Sequence, residues 1–228
     1  MGHRFVFVHG FTQTPTSWNA VTASVVGAVG AVDTPAVIDG ADFVATAAAL
    51  DHGTATYVGY SMGGRLCLQL ALDRPDVVER LVLVSASPGI EDPDERAARC
   101  VADGELARTI ERDGVDAFLE RWLAQPLFAT LPRDAAGLDE RRDAHTVESL
   151  SHQLRALGQG EQPSNWPRLA ELRMPVLLIA GALDAKYVEI ARRMADVIPQ
   201  ARVEVIAGAG HACQLEQPDA VAHLLASW

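Results

Sequence analysis

Ser61 stands at the centre of Gly59-Tyr60-Ser61-Met62-Gly63, a match to G-x-S-x-G. A serine hydroxyl becomes reactive when a neighbouring base takes its proton, and that base needs a third group to orient it. Glycines two residues to either side let the chain turn sharply enough to lift the hydroxyl clear of the backbone. Of seven histidines, His211 alone lies in a glycine-rich stretch, Gly208-Ala209-Gly210-His211, just after an apolar run. Asp184 likewise follows an apolar run, through Gly181-Ala182-Leu183. Serine, then aspartate, then histidine is a chain order in which such relays occur. His3, His52, His145, His152 and His223 lack that placement and read as structural or solvent-exposed. His9-Gly10-Phe11 ends a third apolar run, and its small residue lets a backbone N–H approach a reacting oxygen. The Phe11 and Met62 N–H groups would then form an oxyanion hole. Arg65 is four residues beyond Ser61, on the same face of a helix one turn away. An arginine in an otherwise apolar helix is costly unless it meets an anion.

These groups converge only if the elements carrying them end on one side of a sheet. Apolar runs at 4–8, 54–60, 80–85, 175–180 and 202–206 read as strands, with a weaker one near 27–32. Helical segments at 61–73, 187–198 and 218–228 alternate with them, and Pro75 and Pro199 close the first two. Such alternation predicts parallel strands with right-handed crossovers, and a site at their carboxyl ends. About 90 residues separate the strands at 80–85 and 175–180, where a crossover needs roughly a dozen. Candidate helices at 97–108, 115–123 and 138–157 fill that interval. It reads as a helical cap over residues 90–165, on a core formed by 1–89 and 166–228.

Composition removes other classes. The 228 residues are 49% hydrophobic and 21% charged, ordinary for a globular chain. Nineteen basic against thirty acidic residues give a net charge of −11. That excludes a nucleic-acid binder and a polybasic membrane-surface protein, though it says little about one pocket. Cys67, Cys100 and Cys213 are scattered and odd in number, so they read as reduced thiols of a cytoplasmic protein rather than a disulfide frame or zinc site. The apolar run Phe5-Val6-Phe7-Val8 is too short for a secretion signal. Met1-Gly2 lacks the serine or threonine at position six that myristoylation prefers. No run of 18 apolar residues suggests membrane insertion. Lys186 is the one lysine, and with the alanine richness this suggests a GC-rich bacterial genome.

The elbow, the triad order and the interrupted strand pattern resemble the α/β-hydrolase superfamily, over essentially the whole chain. Longer stretches narrow the resemblance to the 2-succinyl-6-hydroxy-2,4-cyclohexadiene-1-carboxylate synthases of menaquinone biosynthesis. GYSMGGR at 59–65 is similar to that family's elbow, with arginine four residues after serine. Pro88-Gly89-Ile90, with the following Glu95-Arg96-Ala97-Ala98-Arg99, resembles its cap entry. WLAQPLF at 122–128 and LRALGQG at 154–160 are similar to its cap signatures. GALDAKY at 181–187 and AGAGHACQLEQP at 207–218 resemble its aspartate and histidine loops.

The resemblance implies a lyase that eliminates pyruvate from an enolpyruvyl cyclohexene carboxylate. Ser61, activated by His211 and Asp184, would be the base, and the oxyanion hole would hold an enolate. Tyr60, Arg65, Arg99, Trp122 and Arg142 match substrate-binding positions, with Arg141 adjacent to the last. It implies no metal or organic cofactor, a small carboxylate-rich substrate as the partner, and a monomer or weak homo-oligomer. The alternative on the same triad is a serine esterase or carbon–carbon bond hydrolase working through a covalent acyl-serine, which prefers an apolar pocket. One departure is at 33–40, where relatives carry Gly-His-Gly-x-Ser and this chain does not. Because the chain starts directly on the strand leading to His9, a sheet of about six strands is expected, without the two further N-terminal strands usual in the fold.

Overall fold

The computed structural model describes residues 4–25, 31–36 and 40–228. Six parallel strands form one sheet: β1 (Arg4–Val8), β2 (Ala31–Asp33), β3 (Ala55–Tyr60), β4 (Val78–Val84), β5 (Val176–Gly181) and β6 (Ala201–Ile206), in the order β2-β1-β3-β4-β5-β6. The first part of the expected strand near 27–32 lies outside the described residues. So does part of the shortened 33–40 connection.

Alternate side chains of a strand point to opposite faces, and β1 uses both. Val6 and Val8 belong to one buried cluster with Phe43, Leu66, Leu70 and Met194, whereas Phe5 and Phe7 belong to another with Trp18, Val21, Val221 and Leu225. The helices α1 (Asn19–Val25), α2 (Phe43–Ala49), α3 (Met62–Asp73), α7 (Ala185–Ala195) and α8 (Pro218–Ser227) supply those partners, with Trp18 coming from the 3-10 turn just before α1. A strand covered on both faces must be apolar throughout, which is why β1, β3 and β5 read as unbroken runs. Helix α2 has no counterpart in the sequence reading. Its Ala-rich stretch is weakly patterned, and Asp42 caps it by accepting the Ala45 N–H at 2.8 Å.

Between β4 and β5 the chain is helical: α4 (Pro93–Leu123), α5 (Leu138–Ala144) and α6 (Val147–Leu157). Asp92 starts α4 by accepting the N–H groups of Asp94 and Glu95 at 2.8 and 2.9 Å. Helix α4 is broken at Gly114, whose φ of 81° and ψ of 172° only glycine adopts readily. A Cβ there would meet nothing within 4 Å, so the glycine serves the bend and not the packing. Beyond the bend, Phe118 and Trp122 return over Phe11. The expected single helix over 138–157 is two. His145 is extended, and Thr146 opens α6 with a capping box shared with Ser149. Ala107, Ile110, Phe118, Leu119, Leu150 and Leu154 form a small core of their own, against which Phe11 packs.

Candidate active site

The sheet order reverses direction at β1, so β1 and β3 flank the point where an open α/β sheet binds ligands. Val8 and Gly59 are paired in the ladder, so Phe11 and Ser61 leave the sheet side by side. Ser61 has φ 50° and ψ −108°, a strained conformation for a residue with a Cβ. Its N–H donates to Val84 O at 2.9 Å, and Arg65 N–H returns to Ser61 O at 3.0 Å. A Cβ on Gly63 would lie 2.3 Å from Val8 O, so the elbow sits that close to β1 only because residue 63 has no side chain. Met62 is the first residue of α3, and its N–H precedes the helix's internal hydrogen bonds.

His211 Nε2 lies 3.2 Å from Ser61 Oγ, and His211 Nδ1–H donates to Asp184 Oδ2 at 2.7 Å. The carboxylate accepts at Nδ1, so Nε2 is left unprotonated and able to take the serine proton. The other Asp184 oxygen accepts the Tyr187 N–H, which fixes the carboxylate at the start of α7. The loop bearing His211 is held by a residue that sequence reading missed. Glu216 accepts the N–H groups of Gly210 and Ala212, on either side of His211, at 2.8 and 3.0 Å.

A cavity of about 410 Å³ opens over Ser61 and His211, with walls from both the sheet and the insertion. Trp122 stands edge-on to Phe11 at 5.1 Å, and Phe128 and Tyr187 flank the His211 ring at 6.0 and 4.6 Å. Tyr60 also packs against that ring, at 5.5 Å. Burial holds its hydroxyl well above the ordinary phenol value, so it stays neutral.

Four cations line the cavity, Arg65, Arg99, Arg141 and Lys186, against the single carboxylate Asp103. Arg65 is 6% exposed, and burial lowers its pKa to about 10, so it remains charged near neutral pH. Its donors go to Leu157 O at 2.8 Å, Gly158 O at 3.3 Å and the Gln162 amide oxygen. These are the carbonyls at the end of α6, where a helix favours a cation. Arg65 therefore ties the insertion to α3 without an ion pair. Arg99 does have one: Asp103 accepts its Nε at 2.8 Å, and Gln159 accepts Nη1 at 2.7 Å.

The sequence-derived Arg142 does not face this cavity. It sits in a surface network with Asp116, Glu120 and Asp139. Its neighbour Arg141 takes the cavity position, 3% exposed, with a pKa lowered to about 10 by burial. Arg141 Nε donates to Ala136 O at 2.7 Å and Nη1 donates to Thr12 Oγ1. The correction is one residue, or about 100° of helix.

His9 is buried beneath the same loop, with Nδ1–H donating to Gly10 O at 2.9 Å. Burial, with smaller contributions from His145 and Arg141, pushes its pKa down from 6.5 to about 4. The unfolded chain takes up a proton at His9 near pH 6.5, whereas the fold resists until about pH 4. Stability is therefore complete above pH 6.5 and lost as pH falls toward 4, by up to about 3 kcal/mol. Urea titrations of the wild type and His9→Gln across that window are expected to converge by that amount. A constant difference would show that His9 does not titrate in this way.

Among the described residues, no group of three or more histidine, cysteine, aspartate or glutamate side chains could hold a metal ion. Cys67, Cys100 and Cys213 are free. No helix among the described residues is long and apolar enough to cross a membrane.

The parallel sheet, the strained serine elbow and the serine–histidine–aspartate chain at the strand ends define an α/β hydrolase. The chain belongs to the alpha/beta hydrolase family, whose profile matches residues 5–224. Within that family its relatives include proteins named 2-succinyl-6-hydroxy-2,4-cyclohexadiene-1-carboxylate synthase. A Bacillus subtilis (strain 168) protein described as a candidate synthase of that name is 34% identical, over 93% of this chain and 85% of that protein. The synthase of Serratia proteamaculans (strain 568) is 31% identical over 75% of this chain and 67% of its own. The solved structure of MenH from S. aureus superposes with a TM-score of 0.91 at 26% identity, covering 99% of this chain and 92% of that one.

Proposed function

We propose that this chain is a 2-succinyl-6-hydroxy-2,4-cyclohexadiene-1-carboxylate synthase of bacterial menaquinone biosynthesis, a cytoplasmic lyase that releases pyruvate from an enolpyruvyl cyclohexene carboxylate. One observation carries the reading. Two buried guanidinium groups, Arg65 and Arg141, share the cavity of the Ser61 hydroxyl, and among the described residues neither has a carboxylate partner. A buried charge without a counter-ion is costly. A substrate bearing several carboxylates supplies that counter-ion. An ester hydrolase for apolar acyl groups has no use for it.

In this reading Ser61, His211 and Asp184 are the catalytic residues. Asp184 holds the His211 ring, and His211 Nε2 takes the Ser61 proton as the serine oxygen removes a ring proton next to the succinyl carbonyl. The electron pair moves onto that carbonyl oxygen, which the Phe11 and Met62 N–H groups receive as an enolate. The pair then returns through the ring as the carbon–oxygen bond to the enolpyruvyl group breaks. Pyruvate departs as its enolate and takes the proton held by His211, which returns the histidine to its starting state while Ser61 keeps the ring proton. Arg65, Arg99 and Arg141 bind carboxylates, Tyr60 and Trp122 form the walls, and residues 90–165 act as the cap. Asp103 takes the Arg99 Nε donor and Gln159 one Nη1 donor, leaving the rest of the guanidinium for substrate.

The direct test is pyruvate release from the enolpyruvyl substrate, run beside hydrolysis of a p-nitrophenyl ester. Fast pyruvate release with slow ester turnover is the expected result. Rapid ester hydrolysis without pyruvate would replace this reading with an esterase. Arg65→Ala is expected to lower kcat/KM for the anionic substrate by about 100-fold or more, the scale of one lost charged contact. The loss on a neutral ester should be far smaller, and equal losses would make Arg65 purely a tie between α3 and α6.

A further inference from the structure

Helix α6 turns Gln153, Leu154 and Leu157 toward the cavity. Gln153 is 6% exposed, and its amide oxygen is buried without a hydrogen-bond partner. Three nearby buried glutamines differ: Gln162 accepts from Arg65 and donates to Ser87 O, Gln69 accepts from Asn165 and donates to Asp73, and Gln13 accepts the Gly10 N–H. Gln214 also has an open amide oxygen, but it does not line the cavity. Buried polar side chains are hydrogen-bonded almost everywhere in native proteins, so one left open in the wall of a cavity marks a place for a ligand group. Trp122 Nε1, in the same cavity, is also buried and unpartnered.

We infer that Gln153 is a specificity-determining residue whose amide hydrogen-bonds a neutral hydroxyl on the substrate ring, in a subsite separate from the arginines. This rests on the function proposed above. An ionised carboxylate only accepts hydrogen bonds, and the cavity already offers it guanidinium donors. An amide oxygen has the opposite need, because it requires a donor. The 6-hydroxyl is the neutral donor that the product's own name supplies. Gln153 and Trp122 present an acceptor and a donor, which is what a hydroxyl can satisfy at once. A wall built in this way penalises a ligand lacking the hydroxyl, because the amide then stays unpaired.

The test compares the enolpyruvyl substrate with its 6-deoxy analogue, in the wild type and in Gln153→Leu. The quantity read is the ratio of the two kcat/KM values within each enzyme. That ratio does not depend on the folded fraction, so a partly misfolded variant still reports. The wild type is expected to favour the hydroxylated substrate by about 10- to 100-fold, the range for one buried hydrogen bond. In Gln153→Leu the ratio should fall to within about threefold of unity, because the amide that penalises the deoxy substrate is gone. A ratio that stays the same in the variant would overturn the role of Gln153. A wild type that releases no pyruvate from either compound would instead overturn the proposed function, and this inference with it.

Discussion

Replacing Ser61 by alanine is expected to slow pyruvate release by about 10²- to 10⁴-fold with little change in KM, the range for losing a positioned general base. The substrate's carboxylates bind to arginines, so the ground-state complex should survive the change. Glycine at the same position should cost as much activity and make the protein more stable. Ser61 holds φ 50° and ψ −108°, and such a conformation costs a side-chain-bearing residue roughly 1–3 kcal/mol. Glycine removes that strain but gives the unfolded chain more freedom, worth about 0.5–1 kcal/mol. Relief wins by around 1 kcal/mol, or about 2–4 °C in Tm for a chain of this size. Alanine keeps the Cβ and the strain, so its Tm should stay near the wild type. Calorimetry of the three proteins separates the cases. A Ser61→Gly variant melting below Ser61→Ala would show that the elbow is unstrained.

That strain explains why the serine, aspartate and histidine were legible in the sequence. A turn this tight demands small residues at fixed offsets, and Gly59 and Gly63 are visible as letters. The same holds for the loops, because Gly181 must let the backbone of Ala209 and Gly210 pass close by. The parallel sheet and the placement of the insertion followed from alternation and interval length, neither of which needs exact boundaries. Groups that act through hydrogen bonds left no comparable mark. Glu216 looks like one more surface acid, yet it fixes the loop on both sides of His211. Thr146 splits one expected helix into two by a local cap that competes with continued helix. Gln153 has no charge, no fixed spacing to a motif and an unremarkable residue type. Its significance comes from the partner it lacks, which only three-dimensional contacts reveal.

Arg141→Ala is expected to lower kcat/KM for pyruvate release by about 10²- to 10³-fold, whereas Arg142→Ala should change it less than twofold. The two residues are adjacent on α5, a helix of two turns where the apolar pattern is too brief to set the phase. Composition cannot choose between them, but surroundings do. Arg142 has Asp116, Glu120 and Asp139 within ion-pair distance at a partly exposed site, and such pairs contribute little each. Arg141 is buried, and its resolved donors meet only neutral oxygens, Ala136 O and Thr12 Oγ1. Its charge is therefore available to an anion in the cavity, and its loss also unties Thr12, the residue after the Phe11 N–H. Thr12 has φ 64° and is fully buried, so the loop holds this shape only under restraint from its neighbours. Both kcat and KM should worsen in Arg141→Ala. Arg141→Lys should recover little, because an ammonium cannot span Ala136, Thr12 and a carboxylate as the planar guanidinium fork does. Steady-state kinetics of the three variants decides the matter. Equal losses in Arg141→Ala and Arg142→Ala, or full recovery by lysine, would mean that the cavity needs only positive charge nearby and not this guanidinium.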